Sequence, residues 1–148
     1  MEINIYHVLE RGLVPTVLKL LEKIYLSQQR CLFFSPVSER VDALDKALWT
    51  FSTNAFIPHG SLKTGFAKMH PIYFTDKYEN PNDAKVLLMV DSFDYLSFNE
   101  NFDRIMIVFE GAEQSSEINA LCESMKNSSD YVSYWLQTET KEWKKVII

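Results

Sequence analysis

The order of apolar patterns along the 148-residue chain predicts a single three-layer α/β domain with a mostly parallel sheet. Three observations carry that expectation. Cys31 to Phe34 and Ala84 to Val90 are short, near-continuous apolar runs, as strands covered on both faces require. Stretches of helical spacing alternate with strand-like runs from the N-terminus onward. A chain of this length that is 47% hydrophobic can bury one substantial core.

The elements follow in order. Ile3, Ile5, Val8 and Leu9 mark a first strand over about residues 2 to 9, broken at Gly12. Leu13, Val17, Leu20 and Ile24 recur at helical spacing, as do Val14, Leu18, Leu21 and Tyr25, so a helix with a broad apolar face spans about Val14 to Ser27. Pro15 falls in its first turn, where no amide donor is needed. The run Cys31 to Phe34 is a central strand ended by Ser35 and Pro36. Ser38 is expected to cap the next helix, whose buried stripe is Val41, Leu44 and Leu48. Asn54, Pro58, His59, Gly60 and Gly65 are read as one long loop. Strands are expected at "PIYFTD", "AKVLLMV" and "RIMIVFE", with a helical turn packed by Phe98 and Phe102 between the last two. Ile118, Leu121, Cys122 and Met125 restart helical periodicity, with Ser115 or Ser116 as cap. Val132, Tyr134 and Leu136 then alternate with Ser133, Trp135 and Gln137 as a closing strand. Residues 1–148 read as one domain with a tail from about residue 138, whose Val146, Ile147 and Ile148 are too apolar to be left in water.

Charge restricts the function. The net charge of −5 is uneven: Met1 to Lys85 holds 10 basic and 9 acidic residues, and Val86 to Ile148 holds 5 basic and 11 acidic. A nucleic-acid surface needs a positive patch, and no basic run provides one. The first residues lack a basic n-region, and no apolar run reaches bilayer-spanning length. Two cysteines, each within an apolar pattern, fit a reducing compartment, so the expectation is a cytoplasmic protein with no membrane partner.

The residues that carry chemistry are sparse. The stretch after the first strand, "LERGLVPT", has one glycine and none of the spacings that cradle phosphate. Thr16 and a helix N-terminus offer an anion little, since Pro15 removes a donor. His59 and His70, with Asp76 or Asp91, form a loose metal-ligand spacing, while His59 also reads as a hydrogen-bonded brace after Pro58. Cys31 and Cys122 lack the exposure and positive neighbours of a reactive thiol. Asp91 and Asp94 follow a strand end, where α/β enzymes place catalytic groups, yet no base or metal motif accompanies them. No catalytic residue, cofactor or metal is assigned.

The most informative stretch is "DALDKALWTFSTNAFIPHG", Asp42 to Gly60. At 100° per residue Trp49 lies at the edge of the Leu44–Leu48 stripe, and Phe56 lies in a loop where polar residues are the norm. These aromatics either close the edge of the core or anchor a partner. The helix end Leu44, Asp45, Leu48, Trp49, followed by Phe56, Ile57, Pro58 and His59, resembles the signature of the chi subunit of bacterial DNA polymerase III. "QQRCLFFSP", "HPIYF", "KVLLMV" and "SFNENFDRIMIVFE" extend the resemblance over most of the chain.

The resemblance implies a Rossmann-like domain without a nucleotide-binding loop, acting as a non-catalytic adaptor. It would link the clamp loader, through a psi-like subunit, to the acidic C-terminal tail of single-stranded DNA-binding protein, as a monomer or heterodimer. Trp49 and Phe56 correspond to the psi-facing surface, and Phe51, Ile57, Pro58 and Lys126 are further candidate partner-binding residues. In the tail site the sequence departs from the family. The expected Arg near Leu121 or Cys122 is missing, and Lys126 is the one basic residue left on that helix, with Lys141, Lys144 and Lys145 beyond it. Losing a charged contact costs about 2–5 kcal/mol in a tight interface, so tail binding is expected to be weak or relocated. The alternatives are a chi-like module serving a different partner, such as a helicase, or a small α/β enzyme.

Overall fold

The computed structural model describes residues 2–9, 11–51, 56–98, 102–111, 131–140 and 142–146, together with Ala120 and Glu123. Strand β1 (Glu2–Val8) leads to helix α1 (Leu13–Leu26), strand β2 (Cys31–Phe34) and helix α2 (Ser38–Phe51). Strands β3 (His59–Ser61), β4 (Ile72–Thr75), β5 (Val86–Val90), β6 (Arg104–Glu110), β7 (Tyr131–Gln137) and β8 (Trp143–Val146) follow. They form one eight-stranded sheet in the order β3-β4-β2-β5-β6-β1-β7-β8. Pairing is parallel from β3 through to β7, with Leu32 beside Leu87 and Ile5 beside Ile107. Among the described residues the β7–β8 pair alone is antiparallel. The fold is therefore mixed α/β with a largely parallel sheet.

Alternation along each strand builds two cores. Cys31 and Phe33 of β2 join Phe74, Leu88 and Met106 under α1 and α2, which contribute Val17, Leu21, Val41, Leu44 and Leu48. Leu32 and Phe34 face the opposite side with Ile3, Ile5, Leu87 and Ile107. Among the described residues that second face is covered by the connection between β5 and β6. There a helical turn at Tyr95–Ser97 precedes Phe98, whose ring packs 5.0 Å from Phe34 and 5.8 Å from Phe102.

Three expectations change. His59 and Gly60 are not loop residues but belong to edge strand β3, because their backbone pairs with β4. Ser38 is the first residue inside α2 and not its cap. The carbonyl of Val37 accepts from the Arg40 and Val41 amides, and the Ser35 hydroxyl accepts from the Val37 amide. The tail after residue 138 contains β8, since Trp143–Val146 pairs with β7. The apolar stripe Ile118, Leu121, Cys122 and Met125 lies outside the described residues, as does Lys126. Ala120 and Glu123 are helical.

Candidate functional site

The buried stripe Val41, Leu44, Leu48 fixes the rotation of α2 on the sheet. Asp45 and Trp49 are four residues apart, so they share the neighbouring face of the helix. That face looks toward β3 at the sheet edge. His59, the first residue of β3, sits opposite Ile72 of β4. Its imidazole is thereby wedged between the two elements, with its side chain fully removed from solvent.

A ladder of rings results. Phe74, in the core, lies 5.4 Å from His59 at 67°. Trp49 covers the other side of His59 at 3.9 Å and 36°. Phe56 rests against Trp49 at 5.5 Å. Burial decreases outward along the ladder: Phe74 is in the core, Trp49 is 45% exposed and Phe56 68% exposed. The half-in, half-out position expected for Trp49 is the one it occupies. An aromatic pair of this kind, held from beneath, presents contact area that loses little conformational freedom on binding.

The polar side of His59 is closed as tightly. Nδ1 lies 2.8 Å from the Ile57 carbonyl oxygen, and Nε2 lies 2.8 Å from the Asp45 carbonyl oxygen. Asp45 Oδ1 is a further 3.0 Å contact of Nε2. Burial pushes the His59 pKa down, but hydrogen bonding to Asp45 and Ile57 and the Asp45 charge outweigh it. The net direction is upward from the ordinary 6.5.

The other residues expected in a partner surface take different places. Phe51 is partly buried and packs against the core. Ile57 is 3% exposed and belongs to the core under α1 and α2. Pro58 is half-buried between Ile57 and His59. Asp45 of the helix-end motif holds His59, and its i, i+4 spacing from Trp49 is the signal of that role in the sequence. Elsewhere, the connection from β3 to β4 exposes Leu62, Phe66 and Met69.

The chemical candidates are engaged elsewhere. His70 Nε2 faces the Gly65 carbonyl oxygen at 2.9 Å, away from His59. His7 is buried in β1 against the Tyr134 hydroxyl. Asp91 accepts from Ser35 at 2.8 Å and from Arg40 at 3.1 Å, and Asp94 accepts from Ser97. Burial pushes the Cys31 thiol up to about 12, far from a reactive thiolate. Among the described residues no three His, Cys, Asp or Glu side chains gather as metal ligands, and no helix is long and apolar enough to cross a membrane. A cleft of about 740 Å³ lies between α1 and the β7–β8 edge, bordered by Tyr6, Lys19, Lys23, Gln137 and Trp143.

Comparison with known proteins adds to this geometry. The sequence model of the family described as DNA polymerase III chi subunit, HolC, matches residues 1–120. That span holds α2, the ring ladder and six of the eight strands. A protein of Rickettsia prowazekii (strain Madrid E), named probable DNA polymerase III subunit chi, is 28% identical over 151 aligned positions. The alignment covers 98% of this chain and 92% of the relative.

Proposed function

This chain belongs to the DNA polymerase III chi subunit family, and on that premise we propose that it is a non-catalytic replisome adaptor whose Trp49–Phe56 surface receives a psi-like clamp-loader subunit. The observation that carries the reading is the exposed aromatic pair seated on the buried His59 and Phe74 rings. Such a pair is pre-organised, so a partner's apolar segment meets a surface that need not be ordered first. Trp49 and Phe56 make the contact, Pro58 borders it, and Phe51 and Ile57 hold it from the core side. The adaptor works in the cytoplasm and binds no nucleic acid itself.

The second partner, the acidic tail of single-stranded DNA-binding protein, is held weakly or at another place. Support for this is the sequence of the 112–130 segment, which has Lys126 as its sole basic residue beside Glu113, Glu117 and Glu123. Like charges across an interface disfavour binding.

The test is titration of the purified chain with a psi-like subunit by calorimetry, for wild type and Trp49→Ala/Phe56→Ala. Circular dichroism establishes that the variant is folded. Truncating two central aromatics is expected to weaken binding by about 30-fold or more. Equal affinity of the folded variant overturns the assignment and leaves the pair as an edge of the core. A parallel titration with the acidic tail peptide checks the second partner. Low-micromolar binding that depends on Lys126 contradicts the expectation of a weak or relocated site.

A further inference from the structure

A neutral imidazole carries one N–H and one bare nitrogen. Around His59 both nitrogens face oxygen: Nδ1 the Ile57 carbonyl, Nε2 the Asp45 carbonyl. Either neutral tautomer sets a lone pair against a carbonyl oxygen at 2.8 Å. The imidazolium donates both ways and leaves no conflict. Asp45 Oδ1 adds to this. It is buried, and it lies 3.0 Å from Nε2 as an ion-pair contact. A buried carboxylate oxygen in that position calls for a positive neighbour. On the face of the ring, Trp49 at 3.9 Å offers the π surface that a cation prefers.

Among the described residues the ring meets one charged side chain. From α2 the Asp45 carboxylate faces the ring. From β4 the neighbour is Phe74, which does not ionise. The approach through Ile57 and Pro58 offers a backbone carbonyl. Residues 52–55, Ser-Thr-Asn-Ala, hold no titratable side chain.

We propose that His59 is a positioning residue, a buried imidazolium that sets the Trp49–Phe56 surface, so that engagement of a partner's apolar segment there weakens when His59 loses its proton. The proposal rests on the reading that this surface is the partner site. It adds the device that holds it: one proton ties the helix end, the start of β3 and the outer rings together. Its loss breaks one of the two hydrogen bonds and removes the cation beneath the indole, so Trp49 and Phe56 must be ordered at the partner's expense. The upward direction of the His59 pKa agrees.

Two measurements on the full chain test it. In the first, ¹⁵N-edited NMR of the His59 ring reports its charge in wild type and in Asp45→Asn between about pH 5.5 and 9. Wild type is expected to show both ring nitrogens protonated above the ordinary histidine value, with the midpoint lower in Asp45→Asn. A neutral His59 throughout the range overturns the proposal. In the second, affinity for a psi-like subunit is followed over the same range for wild type, Asp45→Asn, His59→Gln and Trp49→Ala/Phe56→Ala. Wild-type affinity is expected to fall about tenfold across the NMR midpoint, shifting with it in Asp45→Asn and losing that pH step in His59→Gln. A pH profile that Asp45→Asn does not move overturns the proposal even if His59→Gln fails to fold. Affinity untouched by the aromatic double variant instead overturns the partner site itself, and with it the gate on binding, while the NMR result separately decides the charge of His59.

Discussion

His59 makes part of the stability depend on pH. Its pKa in the folded protein lies above the ordinary 6.5, so its contribution is fully present below that value and is lost as pH rises through the raised one. The expected outcome is that wild type exceeds His59→Gln in urea midpoint under mildly acidic conditions, and that the gap narrows as the solution becomes alkaline. Gly60, next in the chain, is required for a different reason. A methyl group there collides with the His70 ring that lies over β3. Gly60→Ala is expected to cost about 1–3 kcal/mol by overpacking, read from urea unfolding. Cys31 illustrates how far a single residue was legible. Its place in an apolar run already spoke against a nucleophile, and full burial between Ile72 and Val86 in the sheet supplies the cause. Its thiol is expected to resist alkylation in the native protein and to react after unfolding, as peptide mass spectrometry would show.

At the scale of elements, α2 does two jobs through two adjacent stripes. Val41, Leu44 and Leu48 anchor it, and Asp45 and Trp49 build the site. Leu44→Ala is expected to destabilise the fold by about 2–5 kcal/mol in chemical denaturation, whereas Trp49→Ala/Phe56→Ala should change partner affinity far more than secondary structure. Most elements could be read directly from the sequence because periodicity is local: α1, α2, β1, β2, β4, β5, β6 and β7 follow from apolar spacing alone. Strands β3 and β8 did not. "HGS" has no strand pattern of its own and becomes a strand by pairing with β4. "WKKV" is polar in its middle because β8 is an edge strand, where lysines discourage further pairing.

For the whole molecule, the sheet order places β2, β5, β6 and β1 inside and β3 and β8 at the two edges. Native-state amide exchange is expected to be slowest in β5 and β6, flanked on both sides, and fastest in β8, since edge strands open without disturbing the centre. The same order puts the ring ladder at the β3 edge, at the opposite end of the sheet from β8 and the cleft beside it. By itself the sequence determined the class of fold, the identity of most elements and the helix-end motif that marks the family, since each is written in residues close together along the chain. Only the tertiary structure decided that Asp45, Trp49, Phe56 and His59 form one unit. Their meeting depends on how α2 is rotated on the sheet and on β3 joining β4, and both are set by contacts among residues far apart in sequence.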